Sequence, residues 1–406
     1  MGTTAQKLQA VLNSKAAIKS AIEAKGVKDV GDVLSTYADK IKSIKTGVIE
    51  WTGHADAEGL RTIGWSEDDI SYYQEHGVNW NEEDDTLHAV PEDNKALYGT
   101  INASNISNYK NILVYLPKFD MSQITDASNL FSGCFNLLAL PMLDTSNVTT
   151  MEYMFNSCIS LTCIPKLNTS KVTNMCSMFQ NCNSLTYVPM IDTSQVTEMN
   201  NMFQYCKSIK AVPSLDTNNV TNFNSTFSGC SSLITIPAFN YLKATDIQQL
   251  FSECSSLIEV PFIDAPKVSS LVNLFKSCVS LKKIEGIKCS SFISNFYNLF
   301  WENKSLEYLG YLDIAGNKGF EYAYINQSKC LKHARIKGIN SVNNNKLDLT
   351  GTTVLSKDSL LYIIQNAVPT SQLTISLSSY IYNKYINDSD ITAALSNQPY
   401  ITLASV

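Results

Sequence analysis

No stretch of about 18 consecutive apolar residues occurs in this 406-residue chain, so no segment has the length and hydropathy of a membrane-crossing helix. The opening residues, MGTTAQKLQAVLNSKAAIK, lack the apolar core of a secretory signal, and export by the general pathway is not expected. Gln6 stands where a myristoylation signal after Gly2 wants Ser or Thr, so no lipid anchor is expected either. Histidine is scarce. His54, His76, His88 and His333 are scattered, with no HExxH spacing, and no nucleophile–base pair can be assembled from them. Dinucleotide- and nucleotide-binding glycine motifs are missing, and none of the 11 cysteines forms a CxxC pair that would suggest zinc. With 17% charged residues, a net charge of -6 and a pI near 5.4, the chain lacks the basic surface that nucleic-acid binding needs. The expectation is a protein without catalytic residues, cofactor, metal, nucleic-acid partner or membrane insertion.

The charge is unevenly placed. Between Trp51 and Lys95 twelve acidic residues face only Arg61 and Lys95, a local balance of -10, so the rest of the chain sums to +4. The same stretch holds Trp51, Trp65, Tyr72, Tyr73 and Trp80, enough aromatic mass for a compact module. Ser66 with Asp69 three residues later reads as a capping pattern that opens a short helix, with Gly77 ending it. Glu82, Glu83, Asp84 and Asp85 lack the alternating ligands and central glycine of an EF-hand loop and read as a solvated acidic face.

What the chain has in abundance is a register. Prolines stand 24 residues apart at Pro117, Pro141, Pro165, Pro189, Pro213, Pro237 and Pro261. Phe131, Phe155, Phe179, Phe203, Phe227, Phe251 and Phe275 each lead a cysteine by three, from Cys134 to Cys278. A column runs from Leu113 through Leu281, followed three residues on by an aliphatic; it continues at Leu306 and Leu331 as the period loosens to 25. A fixed period of this size marks a solenoid whose units bury apolar faces only by stacking. The cysteine column then reads as buried free thiols packing as small hydrophobes.

One repeat, LTCIPKLNTSKVTNMCSMFQNCNS, divides into an extended Leu161–Ile164 ended by Pro165, a polar corner at Ser170, and Met175, Met178, Phe179 and Cys182 at i, i+3, i+4 and i+7, one face of a short helix. The fold class expected is an α/β repeat solenoid with a short strand and a short helix per coil. Asp144, Asn168, Asp192 and Asp216 recur before Thr and Ser, where an Asx side chain bonds nearby backbone amides; calcium binding there is the lesser alternative, with one carboxylate per coil. The two positions inside each LxxI unit vary freely. On a repeating scaffold the variable side chains are the candidates for recognition, and they single out Tyr187, Lys210, Glu259, Lys282 and Lys283.

Four regions follow. Residues 1–45 carry helical stripes and eight lysines and read as a docking segment; 46–111 form the acidic aromatic-rich module; 112–344 are the repeats; and 345–406 alternate strand and helix signals as a small α+β cap. Strands are expected at LDLTG, QLTISLS and PYITLAS, with helices after Ser356 and within NDSDITAALSN.

The unit LPMLDTSNVTTMEYMFNSCISL, with Phe-x-x-Cys-x-Ser-Leu-x-x-Ile-Pro and Asp-Thr-Ser-x-Val-Thr together in several copies, resembles the BspA-like leucine-rich repeats of bacterial surface proteins, also described as mycoplasma lipoprotein-type repeats. That resemblance covers residues 112 to about 335 and implies a leucine-rich solenoid and a role in attachment. Tyr241-Leu242-Lys243 departs from it by losing the Asp-Thr-Ser block. The flanks SKAAIKSAIEAKGV and GLRTIGWSEDDISYYQEHGVNWNEEDD are similar to N-terminal modules of tail-fibre-type proteins from phages and prophages of gut Bacteroides-like hosts, including crAss-like phages. This resemblance implies a non-enzymatic virion protein, assembled in the host cytoplasm, held to other virion subunits by its N-terminal region and presenting the solenoid to a host-surface glycan or protein, with a homo-oligomer, possibly a trimer, as the form expected. A BspA-like bacterial adhesin and a purely structural head or tail component are the alternatives.

Overall fold

The computed structural model describes residues 57–75, 90–290, 293–314, 323–339 and 346–406. The helices expected within residues 3–45, Gly77 and the acidic run Glu82–Asp85 lie outside the described residues. Contacts divide the chain into two compact units, Met1–Ala57 with Ile70–Ala89 and Glu58–Asp69 with Val90–Val406. The second unit carries the repeats.

Stacking at the 24-residue register is visible in backbone hydrogen bonds. Thr149, Thr173, Thr197, Thr221 and Thr245 each donate amide and hydroxyl to the carbonyl of the residue 24 earlier, with amide distances of 2.8 or 2.9 Å. Inside the coils Phe131, Phe155, Phe179, Phe203, Phe227, Phe251, Phe275 and Phe300 form one stack, each ring nearly parallel to the next, at 5.4 Å between the first pair and 6.4 Å between the last. The cysteine column lies beside it as free, buried thiols. Cys158, Cys182, Cys206, Cys230, Cys254 and Cys278 each point Sγ at the carbonyl of a phenylalanine 27 residues earlier, at 3.0–3.2 Å. A thiol therefore satisfies a carbonyl that alanine in the same small volume would leave without that donor.

The expected helix in each coil is not there. Around Met175–Cys182 the amides of Met175, Ser177, Phe179 and Asn181 donate to Glu198, Asn200, Met202 and Gln204 in the next coil, whereas Met178, Gln180 and Cys182 bond back three residues within their own coil. Ser177 (φ 53°) and Asn181 (φ 62°) are left-handed, and each full coil repeats such a pair four residues apart, from Asn129 and Gly133 to Asn298 and Glu302. An α-helix would consume every amide internally and leave none for the neighbour. A one- or two-turn helix is marginal alone, so the alternating ribbon, which bonds both inward and across, prevails despite its left-handed residues.

The polar corner is held by Asx turns. Asp120, Asp144, Asn168, Asp192 and Asp216 each accept the amide two residues on. Where the Asp-Thr-Ser block is lost, Asn240 takes the same place: its Oδ1 accepts from Leu242 at 2.9 Å and its amide donates to Thr217 at 2.7 Å.

Both ends of the stack are finished by other structure. Before the first coil lie α1 (Ala57–Thr62), α2 (Glu67–Glu75) and α3 (Glu92–Ala96). The capping pair is formed, with Asp69 accepting from the Ser66 amide and hydroxyl, and its other oxygen accepts from Met142 at 2.6 Å. Trp65 Nε1 donates to the Leu116 carbonyl. Asn94, on α3 and fully buried, bonds the backbone of Ile112, Val114 and Tyr115.

Regular strands develop toward the other end. In parallel order lie β1 (Glu259–Val260), β2 (Ile263–Ala265), β3 (Lys283–Ile284), β4 (Ile287–Cys289), β5 (Tyr308–Asp313) and β6 (His333–Lys337), one sheet in which β5 spans what are two short strands in the earlier coils. A second parallel sheet joins β7 (Lys346–Leu349), β8 (Leu373–Leu377) and β9 (Ile401–Ser405), with Lys346, Thr374 and Thr402 in register, so the coil lengthens to 28 residues. The longer coils accommodate true helices: α4 (Lys357–Gln365), capped by Ser356, α5 (Ser379–Tyr385) and α6 (Ser389–Ser396), capped by Asp388. Strands and helices fall where the sequence places them, with α5 as an addition.

Candidate interaction surface

The parallel registers bring outward side chains of successive coils into rows. Glu259, Lys283, Tyr308 and His333 are direct Cα partners across four rungs, while their successors Val260, Ile284, Leu309 and Ala334 are buried. A second row pairs Asp264 with Lys288 and Asp313 with Lys337. Between the rows stand Phe262, Gly286, Tyr311 and Arg335.

Gly286 is what lets the middle row close. A Cβ there would stand 2.7 Å from Cε2 of Phe262 and 2.9 Å from Cβ of Tyr311, closer than side chains approach. In its absence the Phe262 and Tyr311 rings meet at 6.3 Å over the intervening rung. Phe262 is nevertheless 44% exposed. The Tyr308 ring lies 5.9 Å from His333, with the Lys283 ammonium 5.8 Å from its centre, and the Lys337 ammonium is 5.3 Å from the centre of Tyr311, within range of a cation–π attraction.

Four lysines on this face are paired with carboxylates. Lys283 meets Glu285 at 2.5 Å, Lys288 meets Asp264 at 3.5 Å, Lys332 meets Glu307 at 3.0 Å and Lys337 meets Asp313 at 2.9 Å. The hydrogen bond to Glu285 raises the Lys283 pKa, the one from Lys332 lowers that of Glu307, and hydrogen bonds to Tyr311 and Asp313 raise that of Lys337. Each of these three shifts favours the charged form of its group. Arg335 is exposed, lies 5.8 Å from the centre of the Tyr362 ring and has no ion pair among the described residues.

Of the residues singled out from sequence, Glu259, Lys282 and Lys283 stand together here. Tyr187 is exposed on an isolated bridge to Cys163, and Lys210 is exposed one coil further on, both apart from the sheet. Sequence reasoning missed Phe262, Tyr311, Arg335 and Lys337. For Phe262 the available signal was the residue after each repeat proline, which varies as freely as the LxxI interior: Lys118, Met142, Lys166, Met190, Ser214, Ala238 and Phe262, all exposed.

An open groove of about 590 Å³ lies at the polar corner, lined by Asp144, Lys166, Asn168, Met190 and Asp192 among others. Its carboxylates serve the Asx turns. Among the described residues no group of three His, Cys, Asp or Glu is placed to hold a metal, and no helix is long and apolar enough to cross a membrane.

Two consecutive blocks, residues 99–188 and 186–288, match the family model described as "Mycoplasma protein of unknown function, DUF285". Together these blocks span residues 99–288, less than half of the chain. Solved structures similar to the chain include a leucine-rich-repeat protein of T. pallidum, 18% identical, covering 48% of this chain and 78% of its own, with a TM-score of 0.30. An internalin from Listeria monocytogenes is 11% identical over 87% of this chain and 90% of its own, with a TM-score of 0.29. TLR13 in a complex with ssRNA13 is 13% identical over 75% of this chain and 45% of its own, at 0.30. No curated protein matches. The matched blocks hold the columns of Phe, Cys, Thr and Asp; the aromatic and charged rows occupy positions where the repeats differ from one another, and β5 and β6 lie beyond the matched blocks.

Proposed function

We propose that this protein is a non-enzymatic adhesion protein whose repeat stack displays a recognition surface toward a host cell. The observation that carries this reading is the outward row Glu259–Lys283–Tyr308–His333: four different side chains held in register by a backbone ladder whose inward neighbours are buried. A rigid scaffold beneath variable side chains is the arrangement by which repeat proteins bind extended partners.

The finer reading places it on a phage particle as a tail-fibre or receptor-binding component, attached to other virion subunits through its N-terminal region as a homo-oligomer, possibly a trimer. The support for this is the similarity of the flanking segments to tail-fibre-type modules. The match to DUF285 favours a second reading, a bacterial surface adhesin, which would use the same face. Mass spectrometry of purified particles tests the first: the chain is expected among the virion proteins, and its absence from particles that still adsorb leaves the adhesin reading. Antibody against the repeats is expected to block attachment to host cells, and undiminished attachment overturns the adhesive role.

A further inference from the structure

The exposed face of β1 to β6 combines features that select a kind of ligand, and the inference rests on the adhesive reading above. We infer that this face is a saccharide-binding site for uncharged, hydroxyl-rich oligosaccharides, centred on Phe262 and Tyr311. Two rings meet across Gly286 with no side chain between them, and Phe262 keeps 44% of its surface in water. An exposed aromatic on a rigid ladder offers an apolar surface at little entropic cost, since its backbone is already fixed. The C–H faces of a pyranose ring fit such a surface.

The flanking charges specify the rest. Lys283, Lys288 and Lys337 each sit against a carboxylate of the same face, so the surface offers closely spaced donors and acceptors without a field of one sign. An anionic polymer would find Lys283, Lys288, Lys332 and Lys337 already paired, and a cationic one would find the same of Glu285, Asp264, Glu307 and Asp313. Hydroxyl groups, which donate and accept, match alternating ammonium and carboxylate groups on both sides of the rings. A protein partner would require an interface of roughly 800 Å² on each side with a charge-depleted core, whereas here the Lys283–Glu285 pair stands beside Tyr308 and the Lys337–Asp313 pair beside Tyr311. Four rungs spaced by about 4.8 Å span about 15 Å, the scale of a short oligosaccharide.

The test uses the full chain on a printed array of neutral and of sulfated oligosaccharides, together with whole host cells. The wild-type protein is expected to retain neutral oligosaccharides in preference to sulfated ones. Phe262→Ala and Gly286→Val should each weaken that binding about tenfold or more, as loss of a ring contact of this kind implies. Phe262→Trp should restore it, and Ile159→Ala, at an exposed position four coils away, should leave it unchanged. Thermal melting identifies any variant that fails to fold; Phe262→Ala alters an exposed ring and is the one expected to melt as wild type. Equal array binding by wild type and a folded Phe262→Ala overturns the site. Preference for sulfated saccharides, or cell binding that survives enzymatic removal of glycans, overturns the ligand class while leaving adhesion standing. Failure to bind cells at all removes the adhesive reading itself.

Discussion

The Asn94 side-chain oxygen accepts the Tyr115 amide at 2.9 Å, on the first coil of the repeats. The same oxygen accepts from Val114 at 3.1 Å, and Nδ2 donates to Ile112 at 2.9 Å. One carboxamide thus imitates a rung. Asn94→Ala leaves these backbone groups unmatched in a buried setting and should cost roughly 3 kcal/mol, measured as a lower midpoint in urea. Asn94→Asp, which keeps the acceptor and loses the donor, should fall between. A change under about 0.5 kcal/mol for alanine would show that water replaces the side chain freely.

The thiol column makes stability depend on alkaline pH. Burial pushes Cys134, Cys163 and Cys289 up to about 12 and raises Cys158, Cys182, Cys206, Cys230, Cys254 and Cys278 as well. The folded state holds these protons after the unfolded chain has released them. Stability is therefore full below the ordinary thiol range and declines from about pH 9 toward 12, at about 1.4 kcal/mol per pH unit for each such thiol. Urea midpoints should be level from pH 7 to 8 and drop steeply by pH 10. A level midpoint to pH 10.5 contradicts this. In the native chain at pH 8, exposed Cys330 should react with a thiol reagent while the buried column does not.

Acid acts on the corners in the opposite sense. Hydrogen bonds from the Ser146 hydroxyl and amide hold the Asp144 carboxyl below the usual range, and those from Ser194 do the same for Asp192. The stabilisation is present above the unfolded value near 4 and is lost as pH falls through the lower folded value. Asp144→Asn should keep the neutral-pH midpoint, since Asn168 and Asn240 make the same turn, and should flatten the decline in acid. Asp144→Ala should lower the midpoint at every pH.

Phe203 lies in the middle of the ring stack, 5.5 Å from Phe179 and 5.7 Å from Phe227. Phe203→Ala should cost about 3–5 kcal/mol. Because coils contact chiefly their neighbours, amide exchange should quicken most at Phe179 and Phe227 and least in β5. Uniform quickening along the chain would show that the stack opens only as a whole.

The register, the free buried thiols, the Asx corners and most of the C-terminal elements were legible because each leaves a periodic chemical mark. The ribbon at Met175–Cys182 was not. Serial three-residue turns bury Met175, Met178, Phe179 and Cys182 at the spacing of a helix face, and its left-handed positions hold residues such as Ser177, Asn181, Tyr205 and Glu253 far more often than the glycines that would betray them, which stand only at Gly133 and Gly229. Helix α5 was missed because SYIYNKY has the aromatic composition of a strand, and its cap, Ser378, closes a strand-like run. The rows at Phe262 and Tyr311 were hidden because β5 moves the period to 25 and bulges between Leu309 and Leu312, which separates in sequence residues that the sheet sets side by side.

The cross-coil bonds of the ribbon impose a rule on how such a chain can change. Removing residues 160–183 would hand each surviving backbone donor an acceptor of the same kind one coil further along, and duplicating them would do likewise; gaining or losing 5 or 10 residues would break every bond at that level. Unequal exchange between copies in the gene is therefore tolerated only in whole multiples of one coil. Each such event shifts the exposed side chains of the earlier coils, such as Phe135 and Met142, by one rung relative to Tyr187, Lys210 and the Phe262 row, so new surfaces arise without altering a single buried residue type.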